Sequence, residues 1–509
     1  MGETKWTNRS VILTVWLLAI CLLFAGCGPS ENSAGTTTGG AETAATFDNS
    51  ITTDETDDSG IGTDITGGTS AAGHTTGIPE NKTGNAVTPP TTKNTGISTA
   101  AQIKVPKSFS IDDPTYINSF SKLVPAAKYI ISESWMASGY DSVSDTVFVG
   151  FTAKRPDMLN AKSEQIEDFA LFAYSPTGGT VIFIDSFIEA SKRAGNYLEN
   201  EEIPKGHTKL VVVDGKVYMG SQSFHDFKEK SVADATLSDY RGAHLYCYDI
   251  AKKTLTDLSQ SMSGGVVLKN EGIIALSYMP SRRLLVGLTH PRSNLIFIHV
   301  DTHKVVRNAT GIPWANKGEN YVSREVVVSG DRVYMARGTE CYWIPSTYTD
   351  SFYVYYHDYA ANKTVKTSEQ YNGGFWNGQA TTKDGRYTYI STVYGQLYRL
   401  DNKSYAFNWV GDMNPGNTDI IALYSISLSP DDKRVFYIPS FYPTAGLAEF
   451  NLETKQVKFL KTGLHDGIYT GNSIVDKHGN YYFVHFGSNN PMQYSGNCEL
   501  TRFKVTANY

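Results

Sequence analysis

A short β run, a tight turn rich in Asp, Gly, Ser or Asn, and a second β run recur down most of this chain. A repeat of that kind constrains the fold more than any bulk property. Clear copies are Val211-Val-Val-Asp-Gly-Lys-Val-Tyr218, Val326-Val-Val-Ser-Gly-Asp-Arg-Val-Tyr334, Ala380-Thr-Thr-Lys-Asp-Gly-Arg-Tyr387, Ser427-Leu-Ser-Pro-Asp-Asp-Lys-Arg-Val-Phe436 and Ile474-Val-Asp-Lys-His-Gly-Asn-Tyr481. Degenerate copies stand at Ser144-Asp-Thr-Val-Phe-Val149 and Leu276-Ser-Tyr-Met-Pro-Ser-Arg-Arg-Leu-Leu285. Each reads as a β-hairpin, because the turn residues accept the tight backbone and β-formers flank them.

After most copies a second β pair follows, as at Leu245-Tyr-Cys-Tyr-Asp249, Phe352-Tyr-Val-Tyr-Tyr-His-Asp358 and Leu447-Ala-Glu-Phe-Asn451. Two hairpins make a four-stranded sheet. The turn positions Asp145, Asp214, Ser281, Ser329, Asp384, Asp432 and His478 lie 46 to 69 residues apart. Seven such units predict an all-β fold, a seven-bladed β-propeller over 101–509. Only 160–168 and 187–196 suggest short helices. The 32 Tyr and 23 Phe suit sheets packed face to face. Residues 126–133 are expected to supply the strand that closes the ring against 498–505, so that no sheet edge stays open.

The segment ahead of the repeats is of another kind. Residues 28–100 hold 19 Thr and 12 Gly but one aromatic, Phe47, which is too little to bury a core. This stretch reads as a disordered linker. Before it, Lys5 and Arg9 precede a fourteen-residue apolar run, too short for the roughly 20 residues of a spanning helix and suited to a signal peptide. The run ends at Phe24-Ala25-Gly26-Cys27, which resembles the bacterial lipobox. That resemblance implies a signal peptide over 1–26, lipidation of Cys27, and a protein anchored by lipid to the extracellular face of the cell membrane, with 27–100 as its tether. An ordinary secretory signal with a chance cysteine is the alternative.

The linker carries nine acidic residues against Lys82 and Lys93, which leaves the repeat region without net charge although the whole chain has −6. A neutral body argues against nucleic acid as a partner, since that affinity rests on a basic face. Cys247, Cys341 and Cys498 allow at most one internal disulfide, and burial as small hydrophobes is the favoured reading. No Cys-x-x-Cys, P-loop, dinucleotide fingerprint or nucleophile elbow occurs, and no cofactor or metal is expected. His299 and His303 flank Asp301 but read as an exposed turn cluster. A monomer is expected.

A propeller sets the first strand of each blade around a central channel. Aligned on the turns, Lys209, Arg324 and Gln379 fall at equivalent places just ahead of that strand, with His207 and Asn377 two residues earlier. This predicts a polar, partly cationic ring able to bind a ligand. Trp376, within Gly373-Gly-Phe-Trp-Asn-Gly378, is either a sugar-stacking platform or a core residue.

From 205 to 337 the order His207, His225, Tyr278, Arg292 resembles the seven-bladed polysaccharide lyases of the ulvan lyase type. Their site takes two histidines from one blade, a tyrosine from the next and an arginine shortly after. The resemblance implies β-elimination from a uronate-containing polysaccharide. Arg292, helped by Arg324, would neutralise the carboxylate, His225 or His207 would act as base, and Tyr278 as acid. The sequence thus supports an extracellular propeller that binds, and in the sharper reading cleaves, an acidic polysaccharide. The alternative is a non-catalytic surface propeller for glycans or partner proteins.

Overall fold

The computed structural model describes residues 102–104, 115–117, 120–160, 162–222, 227–228, 236–237, 240–290, 292–310, 324–338, 352–416, 426–439, 446–462, 464, 468–486 and 498–504. The signal segment, Cys27, the linker, His225 and Cys341 lie outside them. Seven antiparallel sheets follow in chain order, each with its first strand innermost. Blade one comprises Ile130–Asp141, Thr146–Leu159, Gln165–Ser175 and Thr180–Ser186; blade two Val211–Val213, Lys216–Gly220, Leu245–Asp249 and Thr254–Asp257. Blade three comprises Gly272–Met279, Leu284–His290, Asn294–His299 and Val305–Thr310; blade four Val327–Ser329, Arg332–Gly338, Phe352–Asp358 and Lys363–Tyr371. Blade five comprises Trp376–Thr381, Tyr387–Thr392, Gln396–Asp401 and Phe407–Asp412; blade six Ile426–Leu428, Arg434–Tyr437, Gly446–Asn451 and Val457–Thr462. Blade seven has Ile468–Val475, Asn480–Phe486 and Cys498–Lys504.

The seven turns identified in the sequence join first to second strands, and in each at least one residue is left-handed. Asp145, Asp214, Arg283, Gly330, Gly385, Asp432 and Gly479 have φ between 51° and 77°. That requirement is why Asp and Gly recur there. A β-bulge interrupts the register between third and fourth strands in blades one, three, four, five and six, which coils the outer edge of each sheet.

Two sequence expectations are corrected. The strand that completes blade seven is Thr115–Ile117, paired with Cys498–Lys504 as Thr115↔Arg502, while Ile130–Asp141 is the innermost strand of blade one. A second N-terminal strand, Gln102–Lys104, adds a fifth member to blade one against Thr180–Ile182. Residues 160–168 form a turn followed by a strand, because the Asn160 side chain accepts from the Lys162 and Glu164 amides and diverts the backbone from a helix. The other expected helix is present as Phe187–Ala194, capped by Ser186 and ended by left-handed Gly195.

Apolar side chains of neighbouring sheets interlock around the ring. Between blades one and two, Phe187 stacks on Tyr246 at 3.7 Å and 8°, beside buried Phe148, Leu171, Val217 and Met219. Cys247 and Cys498 are buried and outside any disulfide, and burial pushes the Cys247 thiol up to about 12. The segment from helix to blade two, 196–210, runs from blade one to blade two and is pinned at several points. His244 is wholly buried between Asp257 Oδ2 at 2.8 Å and Glu201 Oε1 at 3.1 Å. Asn196 donates to Asp257 and to the Gly265 carbonyl, both at 2.8 Å. The Ile203 amide donates to the Glu167 carbonyl, the Thr152 hydroxyl to the Pro204 carbonyl, and the Leu210 amide to the Ser138 carbonyl. This pinned strap carries Lys205, His207 and Lys209.

Candidate functional site

The strap and the residues just ahead of the inner strands form a buried polar cluster at one end of the channel. His207 Nδ1 lies 3.4 Å from the Ile274 carbonyl in blade three, and its Nε2 lies 3.3 Å from Arg324 Nη1 ahead of blade four. A carbonyl can only accept, so Nδ1 carries the proton and Nε2 turns its lone pair to the guanidinium. Burial, then Arg324 and Lys205, hold His207 well below the ordinary imidazole range. His290, at the end of the second strand of blade three, is pushed down to about 4 by burial and by the same two cations. Gln222 Nε2 sits 3.4 Å from His290 Nδ1, and the Gln222 amide donates to the Lys205 carbonyl at 2.9 Å.

Lys205 itself is lowered to about 7, mainly by burial, with Glu133 opposing the shift and Arg324 adding to it. Glu167 is raised to about 7 by burial and by the nearby carboxylates Glu133 and Glu202. Burial thus moves Lys205 and Glu167 from opposite sides towards neutrality, where neighbouring charges weigh heavily on each.

Beside this cluster a second arrangement crosses the channel. Lys209 Nζ, from blade two, reaches Glu325 Oε1, ahead of blade four, at 2.9 Å. Gln379 of blade five donates to the other Glu325 oxygen at 2.6 Å and to the Val326 carbonyl at 2.9 Å. Burial pushes the Lys209 ammonium down and the Glu325 carboxyl up. Blades two and four are not neighbours, so the pair spans the inner strand of blade three. Asn377 is fully buried, and neither of its amide atoms has a hydrogen-bond partner among the described residues.

The structure thus brings together Lys209, Arg324, Gln379 and His207, as aligning on the turns expected, and adds Glu325 as the acid that joins two of them. It separates other residues. Tyr278 sits at the far end of its strand, paired with Leu285 and packed beside the blade-two and blade-three core. Gly272, at the near end, pairs with His290, so Tyr278 lies six residues, about 20 Å, along the strand from His290. Arg292, 37% exposed, stands on the rim 3.7 Å from buried Glu271 Oε1, a carboxylate also held by Thr289 and Asn294. Trp376 is a core residue. Its side chain is fully buried against Tyr371 and Phe407, so no ring face is open to a sugar.

Sequence reasoning passed over Lys205 and His290. Each stands two residues from a selected position, His207 and Arg292, but the strap around Lys205 is not a strand and Arg292 lies past the end of one, so no periodic pattern pointed to either. Glu133, Glu167 and Gln222 carried no signal either.

No model of a known protein family matches the chain, and no curated protein does. Among solved structures the chain is similar to U3-55K, at 10% identity over 74% of this chain and 98% of that one, with a TM-score of 0.43.

Proposed function

We propose that the folded body is an extracellular binding module that holds an acidic, uronate-containing polysaccharide at this end of the channel, and that a lipid on Cys27 anchors it to a membrane. The cluster of Lys205, His207, His290 and Arg324 carries the reading. The charges that dominate at both imidazoles are Arg324 and Lys205, so an incoming carboxylate meets a positive potential that burial has amplified. Arg324 suits bidentate contact with that carboxylate, and Asn377 offers an amide whose two polar atoms have no partner among the described residues.

Binding is favoured over elimination. β-Elimination needs a base whose lone pair faces the substrate and an acid beside the leaving oxygen. The lone pair of His207 faces Arg324, its basicity is depressed, and Tyr278 stands a strand length from His290.

The test is affinity electrophoresis against polygalacturonate and hyaluronan, with ultraviolet absorbance of unsaturated uronate followed in parallel. Arg324→Gln is expected to weaken retention by about tenfold or more, and absorbance to stay flat. Equal retention of variant and parent would overturn the site, and rising absorbance would restore the lyase. Cys27→Ala should move the protein from the membrane fraction to the soluble one.

A further inference from the structure

The outer strands of blades four and five border an open cavity of about 470 Å³ that the channel cluster does not share. Its floor is a set of packed rings. Tyr371 meets Tyr398 edge-on at 5.2 Å, and Tyr398 lies parallel to Phe407 at 5.1 Å and 6°. Its lip is Trp409, 60% exposed, second among the large hydrophobic side chains of the described residues after Val143. A large indole left in water that is also held in place calls for a reason.

Trp409 is held. Its Nε1 donates to Gln396 Oε1 at 2.8 Å, which fixes the ring plane. Phe407 and Trp409 are two apart on one strand and so share a face, and a bulge at Leu397 and Tyr398 sets Trp409 opposite Tyr398. Gln396 owes its own place to Gly373, which has φ +97°; a Cβ there would come within 2.6 Å of Gln396 Cγ. This gives a purpose to the Gly373-Gly-Phe-Trp-Asn-Gly378 segment that buried Trp376 does not. The hydroxyl of Tyr371, a buried lining residue, has no hydrogen-bond partner among the described residues.

We propose that this cavity binds an uncharged pyranose residue of a glycan, whose apolar face stacks on Trp409 while its hydroxyls meet Gln370, Asn372, Gln396 and the Tyr371 hydroxyl. The volume is that of a small-ligand site, too small for a docking protein. Flat aromatic surface with planar amides at its edge matches a ring that alternates C–H and O–H groups. Among the described residues the lining holds one carboxylate, Glu369, and no cation, so a uronate or a phosphate is disfavoured there. The site therefore selects chemistry opposite to that of the channel cluster and does not depend on the reading given to that cluster. The pre-set indole plane lowers the ordering cost of binding.

The test uses the full chain and four neutral tetrasaccharides, those of β-1,4-glucose, α-1,4-glucose, β-1,4-mannose and β-1,4-N-acetylglucosamine, in isothermal titration. At least one is expected to bind with a dissociation constant between about 10 μM and 1 mM. Trp409→Ala should weaken it at least about tenfold, with thermal midpoint unchanged because the side chain is exposed, and Trp409→Phe should restore part of the loss. Arg324→Gln should leave it unaltered, which separates this site from the channel. Saturation by none of the four, or equal binding by Trp409→Ala, overturns the proposal. Tighter binding of tetragalacturonate than of every neutral sugar, lost in Trp409→Ala, overturns its charge selection.

Discussion

Replacing His244 by Gln should change how stability depends on pH, by an amount the geometry allows to be worked out. His244 is buried between Asp257 and Glu201, which hold its pKa at about 9 against an ordinary 6.5, overcoming the burial that would lower it. Each pKa unit between folded and unfolded chains is worth about 1.4 kcal/mol, so the charged imidazole stabilises the fold by about 3 kcal/mol at low pH. A folded-state pKa raised in this way gives a contribution that is complete below pH 6.5 and disappears as the pH rises through about 9. The assay is urea unfolding of wild type and His244→Gln at pH 6 and pH 9, followed by tryptophan fluorescence. The other histidines are common to both proteins and cancel in the comparison. The gap between variant and wild type should be larger at pH 6 than at pH 9, by about 3 kcal/mol. An equal gap at both values would show that His244 is neutral in the fold and that the reasoning fails. Because His244 pins the strap that carries Lys205 and His207, the same variant should also bind polysaccharide less well at pH 6.

Two further outcomes are expected. Arg324 and Lys205 depress His207 and His290, and a bound polyanion would offset those cations and let the imidazoles take up protons. Affinity for polygalacturonate, measured at constant ionic strength, should therefore rise as the pH falls from 7 towards 5, and a flat or opposite profile would contradict the placement of the anion. In blade one, Arg155 Nη1 lies 3.0 Å from Asp168 Oδ2 and both are buried. Arg155→Met should destabilise the fold by about 3–5 kcal/mol by leaving that carboxylate unmatched, and adding Asp168→Asn should recover a large part of it in thermal unfolding.

The propeller was legible because each blade reverses its first hairpin through at least one left-handed residue. In six blades that residue is Asp or Gly, and in the other it is Arg283, which was reachable only through the spacing of its neighbours. The closing strand was not legible. Thr115-Tyr-Ile117 is a three-residue run with no turn of its own, and its pairing with 500–502 depends on contacts nearly four hundred residues away. The helix expected at 160–168 failed on a single side chain, since Asn160 captures two amides that a helix would need elsewhere. At the site, alignment on the turns placed Lys209, Arg324 and Gln379 at one end of the channel. It could not show that Glu325 would reach across to Lys209, because a bond across a ring belongs to no local pattern. Trp409 escaped for another reason. An exposed aromatic on an outer strand looks like any edge residue until the Gln396 bond shows that it is fixed.

The pairing of Thr115–Ile117 with Cys498–Lys504 sets an order of events during synthesis. The first of these segments leaves the ribosome nearly four hundred residues before its partner and has nothing to join until they have followed it. Blades one to six can assemble as they emerge, while the circle stays open. Until its last strand is made, the nascent protein exposes an unpaired sheet edge, the surface on which β proteins associate wrongly. A chain that stops before residue 498 would lack Cys498–Lys504 and keep that edge for good. Synthesis of Cys498–Lys504 therefore acts as the step that closes the ring, and products that stop before it should appear as aggregates rather than as six-bladed rings.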